Sequence, residues 1–291
     1  MQPEIPQELI DLIIDEVSLL DCDSDKPLGK FPVGLRSCLF VSTSFCRKAR
    51  SHLFRNVRFR SNQPIPILRE LSIFLDLLTS SSYSSNRDVT PFFALGGPIA
   101  PLVKAFHLPI TKCGSPKEVV PIFNDLIFIS VLRSLTGNTY GPSMVKFEIR
   151  PTFPHPTERL NWELLSTVSQ DAFRVLFQSS RLEAIHLYGF YNLPSNFLDG
   201  SQIKHLEILN AHCSLSTVHP KPILNQLQLE SIYTDQTVCL DRLTLNGISI
   251  TSNLKNLGIC QTRSLTLNDN TWQLLDITSR SLTRLRLHFK G

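Results

Sequence analysis

The chain carries residues able to do chemistry, but not at the spacings that chemistry needs. No nucleophile elbow, Walker loop, His-Glu-x-x-His pair or dinucleotide fingerprint occurs. Gly96–Gly97 is followed by Pro98, which serves a turn better than a phosphate cradle. The eight histidines are scattered. His186, His205 and His288 alternate with aliphatic residues, which directs them to one surface as solvated or hydrogen-bonded groups rather than ligands. Asp235, Asp241 and Asp269 fall near expected strand ends, and paired acid–base catalysis would require them to converge in space. Seven cysteines (Cys22, Cys38, Cys46, Cys113, Cys213, Cys239, Cys260) are odd in number and never form a Cys-x-x-Cys pair. Neither a disulfide framework nor a zinc knuckle is expected from them; the expectation is thiols in a reducing compartment, cytosol or nucleus. No catalytic residue, metal or cofactor is expected, and the chain reads as a non-enzyme.

One cluster of charge needs weighing. RKARSHLFRNVRFR brings Arg47, Lys48, Arg50, Arg55, Arg58 and Arg60 into one stretch, with Phe54 and Phe59 interleaved. Such a run can track a phosphate backbone, or it can be the solvated face of a helix. The net charge of +4, from 29 basic and 25 acidic residues, favours the solvated face, and nucleic acid stands as the lesser alternative.

The elements around these residues fall into three segments, 1–60, 61–101 and 102–291. With 42% hydrophobic and 19% charged residues, the chain has enough apolar side chains for a substantial core. Its longest unbroken apolar stretch is Leu126–Ile129, far short of the roughly 20 residues of a membrane span, so no membrane association is expected. MQPEIPQELIDLIIDEV has acids and no basic opening, unlike a secretory signal. The first segment predicts a helix from Pro6 to Val17, a loop over 21–34 and a second helical pattern through Leu35, Cys38, Leu39, Ser42, Phe45, Cys46 and Ala49. The second segment predicts an amphipathic helix through Leu68, Leu71, Leu75 and Leu78, ended by a mobile polar tract over 79–88.

The third segment repeats a phrase: an aliphatic residue, two others, a second aliphatic, one other, a third. It occurs at Leu182/Ile185/Leu187, Ile203/Leu206/Ile208, Leu240/Leu243/Leu245, Leu254/Leu257/Ile259 and Leu282/Leu285/Leu287. Val103/Phe106/Leu108 and Val145/Phe147/Ile149 are degenerate copies, and 264–267 is a further candidate. The alternation predicts short strands, and helical stretches intervene at 118–135 and 162–177. Spacing is irregular, 21 residues from Ile185 to Leu206 but 14 from Leu243 to Leu257. Asn210, Asn246 and Asn268 follow three copies. The last strand is expected to leave an exposed edge.

The first helix has more apolar surface than a small bundle needs. Ile5, Leu9, Ile10, Leu12, Ile13, Ile14 and Val17 span an arc of roughly 200°, against the ~100° stripe of an ordinary surface helix. Two covered faces are therefore implied, one against the module's other helices and one against either the C-terminal domain or another protein.

In detail, IPQELIDLIIDEV followed by LRSCLFVSTSFCRKARSHLFRNVRF resembles the F-box, in the form common among F-box-like proteins of mushroom-forming fungi. Ile5, Pro6, Glu8, Leu9, Leu12, Ile13 and Ile14 match its opening, Leu35, Cys38, Val41, Ser42 and Phe45 its middle, and Leu53, Phe54 and Val57 its close. The loop over 18–34 is longer than in the compact module, and Phe45 stands where tryptophan is frequent. The later phrases GPIAPLVKAFHLP, WELLSTVSQDAFRVLFQSSRLEAIHLYGFYNLP and IKHLEILNAHC are similar to the degenerate leucine-rich repeats that accompany such modules.

The resemblance implies an α/β fold, an N-terminal F-box-like helical module followed by an irregular leucine-rich-repeat-like solenoid. It also implies a substrate receptor of a cullin–RING ubiquitin ligase of the SCF type. Ile5, Pro6, Leu9, Leu12, Ile13, Leu39, Val41 and Phe45 would contact a Skp-type adaptor and, through it, a cullin. The strand surface would hold the target protein, with Tyr188, Tyr191 and His212 as candidate contacts. A second reading keeps the fold and drops the ligase, the helices serving as a cap on a repeat scaffold.

Overall fold

The computed structural model describes residues 5–22, 33–59, 64–79, 99–110, 113–137, 144–155, 158–194, 196–211, 229–235, 253–262, 272, 275–276 and 278–290. The loop over 23–32, most of the tract at 79–88, the phrases at 240–245 and 264–267, Gly96–Gly97, His212, Asp241, Asn246, Asp269 and Asn268 lie outside these residues.

Three helices open the chain: α1 (Gln7–Cys22), α2 (Val33–Cys38) and α3 (Thr43–Leu53). The carbonyl of Pro6 accepts from the amides of Leu9 and Ile10 at 3.1 and 3.2 Å, so proline sets the first turn without losing a needed donor. No glycine or proline interrupts Ser18–Cys22, and α1 runs five residues past the expected Val17. Ser42 caps α3 by accepting from the amide of Phe45 at 3.3 Å. The bundle buries its own small core of Ile10, Ile14, Leu35, Cys38, Leu39, Phe45, Cys46 and Ala49. Asp15 ties α1 to α3, with Lys48 Nζ at 3.0 Å and His52 Nε2 at 2.7 Å.

Beyond the bundle the chain is mixed α/β. Strands β1 (Asn56–Arg58), β2 (Ala105–Ile110), β3 (Lys146–Pro151), β5 (Ala184–Tyr188), β7 (His205–Leu209), β8 (Ser231–Thr234), β9 (Asn256–Thr262) and β10 (Arg284–Lys290) form one eight-stranded sheet in that order. Every neighbouring pair in it is parallel. Two short strands, β4 (Leu160–Asn161) and β6 (Phe190–Tyr191), pair separately. Among the described residues, helices α4 (Pro64–Thr79), α5 (Pro116–Asn124), α6 (Leu126–Thr136) and α7 (Thr167–Phe177) lie in the connections. No single helix among the described residues is long and apolar enough to cross a membrane.

The repeated phrase accounts for the sheet's inner face. Phe106, Leu108, Phe147, Ile149, Ile185, Leu187, Leu206, Ile208, Ile232, Leu257 and Ile259 are all buried, and Val103, Leu182, Ile203, Leu229 and Leu254 fill the position three residues before each strand pair. Two adjustments follow. Met144, at 2% exposure, takes that leading position before β3, while Val145 turns outward at 36%. Leu229/Ile232/Thr234 is a copy that the pattern search misses, because a buried threonine holds the third aliphatic place. The expected helix at 118–135 is two helices bent by 56°. Asp125 breaks it by accepting from the amide of Ile127 at 2.8 Å, which caps the second helix afresh.

Aromatic side chains lock helices to sheet. Phe74 of α4 meets Phe106 of β2 at 6.2 Å between ring centroids, and Phe173 of α7 meets Phe147 of β3 at the same distance. A buried polar staple holds α7 against α5: Ser169 Oγ donates to the carbonyl of Phe123 at 2.9 Å, and Asn124 Oδ1 accepts from the amide of Ser166 at 2.7 Å. Each polar atom buried here is thereby satisfied.

Strands β5 and β7 end on left-handed residues, Gly189 at φ 70° and Asn210 at φ 49°. A Cβ on Gly189 would sit 2.8 Å from the Pro151 carbonyl oxygen, whereas at Gly200, φ 74°, it would meet only Gln178 side-chain atoms at 3.8 Å and beyond. Gly189→Ala is therefore expected to cost roughly 2–3 kcal/mol in urea unfolding, and Gly200→Ala about 1 kcal/mol. Equal losses would mean that the Pro151 contact contributes nothing.

Candidate functional site

Two surfaces stand out by their exposure and charge. The first is the outer face of α1. Its wide apolar arc divides: Ile10 and Ile14 point into the small core, while Ile5, Leu9, Leu12 and Ile13 are 53%, 50%, 61% and 43% exposed. Pro6 is exposed beside them. The turn after α2 also exposes Phe40 and Val41, both at least 60%. Leu39 and Phe45, which the resemblance implies as adaptor contacts, do not belong to this surface, because both are more than nine-tenths buried in the core of the bundle. They support the surface from beneath, and Phe40, which sequence reading passed over, takes the outward place.

The basic run does not form one face. Lys48 and His52 are engaged by Asp15, and Arg50 is 2% exposed, with burial lowering its pKa. Arg47, Arg55 and Arg58 remain exposed.

The second surface is the sheet's outer face. Parallel sheets are usually covered on both sides and read as continuous apolar runs. Here the burial alternates, and apart from Pro109 the residues between the core positions are polar. Register carries one row across the sheet: Arg58, His107, Glu148, His186, Glu207, Tyr233, Gly258 and Arg286. Within it His107 Nδ1 lies 2.9 Å from Glu148 and His186 Nδ1 lies 2.8 Å from Glu207. Arg150 reaches both carboxylates at 3.6 and 3.8 Å, and its guanidinium sits 5.7 Å from the centroid of the Tyr188 ring. Tyr188 thus belongs to this face, while Tyr191, 40% exposed, is on the separate strand β6. A second row, at the strand starts, alternates in sign: Glu183 accepts from Lys204 at 2.8 Å and Glu230 from Lys255 at 2.9 Å. After β7, Asn210 donates its amide to Asp235 at 2.7 Å, and its side chain accepts from Arg159 at 3.0 Å.

The row sets a pH dependence. The hydrogen bond from His107, with Arg150 and Lys146 nearby, holds the Glu148 carboxyl at about 2, below its ordinary 4.5, and that from His186 lowers Glu207 in the same sense. An unfolded chain binds these protons more readily, so the contribution is present above about pH 4.5 and fades as pH falls towards 2. For Glu148 it amounts to at most about 3 kcal/mol. Glu148→Gln is expected to flatten the stability profile between pH 5 and about 2 in urea titrations; an unchanged profile sinks the assignment.

Among the described residues no group of three His, Cys, Asp or Glu side chains is placed to hold a metal ion. Cys38, Cys46, Cys113 and Cys260 are buried thiols, and burial pushes Cys113 up to about 11. Comparison with models of known protein families finds no match, and comparison with curated proteins finds none.

Proposed function

We propose that the chain is a substrate receptor of an SCF-type cullin–RING ubiquitin ligase. Helices α1–α3 act as an F-box-like module that binds a Skp-type adaptor, the strands act as an irregular leucine-rich-repeat array that binds the target, and the chain itself catalyses nothing. The supporting observation is the outer face of α1: four large aliphatic side chains lie uncovered on a bundle whose own core is already filled. Pro6 opens the same helix, and Phe40 and Val41 are exposed on the turn after α2, which suits a helical module that docks into a partner's groove.

The test is co-purification of a Skp-type adaptor with the wild-type chain and with an Ile5→Asp/Leu9→Asp variant. Equal recovery from both removes the receptor reading. One observation favours the scaffold alternative: α3 leads directly into β1, whose neighbours Phe54 and Phe59 pack on the main core, so the bundle also adjoins the first strand of the sheet.

A further inference from the structure

Every glutamate seen on or beside the outer sheet face from β3 to β9 has a cationic or histidine partner: Glu148, Glu183, Glu207 and Glu230. The cations at the β10 end are not matched. Arg284 and Arg286 are exposed, and neither has an ion-pair partner among the described residues. Together with His288 they line a shallow depression of about 420 Å³ that runs over β8 and β9. Its floor is shaped by Gly258, where any Cβ would overlap the Tyr233 ring lying across from the neighbouring strand. The Tyr233 ring meets His288 edge-on, 5.9 Å between centroids. Glu207 stands at the far wall, turned towards His186 and Arg150, so positive charge is concentrated on the β10 side.

We infer that this depression binds an extended acidic segment of a partner polypeptide, with carboxylates at alternate positions. Arg284 and Arg286 are two residues apart on one strand, hence about 6.6 Å apart along it, and alternate side chains of an extended peptide repeat at the same distance. Each guanidinium fork then takes one carboxylate, with bidentate geometry available to both. The Tyr233 ring gives the segment an apolar surface between the charged contacts. This deepens the receptor reading, since it names the chemistry of the target, but it needs no adaptor.

The experiment uses the full chain and a fluorescein-labelled peptide of alternating Glu and Ser, with an alternating Gln and Ser peptide beside it. Fluorescence anisotropy is expected to show the Glu peptide bound at least about tenfold more tightly than the Gln peptide, with affinity falling as salt rises. Arg284→Glu/Arg286→Glu is expected to weaken the Glu peptide by more than about tenfold, while a Lys117→Glu/Arg133→Glu chain, altered on the helical side, binds as wild type. If the reversed chain does not fold, Arg284→Gln/Arg286→Gln carries the same comparison. The proposal is overturned if the two peptides bind alike or not at all, or if both double variants lose equally. It is also overturned if an oligouridylate displaces the Glu peptide at lower concentration than unlabelled peptide does, which assigns the arginines to nucleic acid. Adaptor capture by α1 is read separately, so either result can fail without the other.

Discussion

A chain carrying Ile5→Asp and Leu9→Asp is expected to lose adaptor capture by at least about 30-fold, two buried anchors at more than about 1 kcal/mol each, while unfolding at the wild-type urea concentration. Both side chains are about half exposed, so aspartate costs the fold little. In a docked complex the same carboxylates would be stripped of water against an apolar groove, without partners, which is expensive. Ile14 gives the contrast. It lies on the same helix at 0% exposure, inside the small core, so Ile14→Asp should unfold the bundle and lose capture together with helical signal. Three chains therefore separate binding from folding: wild type binds and folds, the Ile5/Leu9 variant folds without binding, and the Ile14 variant does neither. Leu12→Asp, at 61% exposure, should follow the Ile5/Leu9 variant. Undiminished capture by the Ile5/Leu9 variant would move the adaptor contact elsewhere or remove it.

The α1 surface illustrates what a sequence can and cannot say. Counting apolar residues around the helix reveals that two faces exist, since one small bundle cannot use an arc so wide. It does not reveal which residues go inward within the α2–α3 segment. Leu39, Phe40 and Val41 are consecutive and all apolar, and only the packing decides that Leu39 is buried while the next two are exposed. Phe45 is buried for the same reason, in the small core that also takes Cys46 and Ala49 of α3.

For the sheet, strand identity was legible and register was not. Six of the strands follow from the aliphatic phrase or its degenerate copies, because one face must enter the core, although in β10 Leu285 and Leu287 stay 44% and 38% exposed. Strand β8 escaped because Thr234 is hydrophilic by type yet 2% exposed in fact. The polar face was invisible as a unit. His107 and Glu148 are 41 residues apart, and nothing in either neighbourhood indicates that parallel pairing will set them 2.9 Å apart. The histidines directed outward by alternation, His186, His205 and His288, are on that face, but the pairing of His186 with Glu207 emerges only from strand order.

The largest single loss of stability is expected at Phe173. Its side chain is fully buried on α7 and meets Phe123, Phe128, Phe147, Trp162 and Phe177, with ring centroids 5.4 to 6.2 Å away. These partners come from α5, α6, β3, the turn before α7 and α7 itself, so one ring joins the sheet to its helical layer. Phe173→Ala removes the ring and leaves a void that close-packed neighbours from five places fill poorly, at a cost of roughly 3–5 kcal/mol. Val168, on the same helix but 41% exposed, should lose less than about 0.5 kcal/mol as alanine. The comparison holds helix propensity nearly constant and varies burial. Because the α1–α3 bundle has its own core, Phe173→Ala should still capture adaptor at temperatures where the sheet remains folded. A cost below about 1 kcal/mol in urea unfolding would mean that the aromatic cluster does not hold the two layers together.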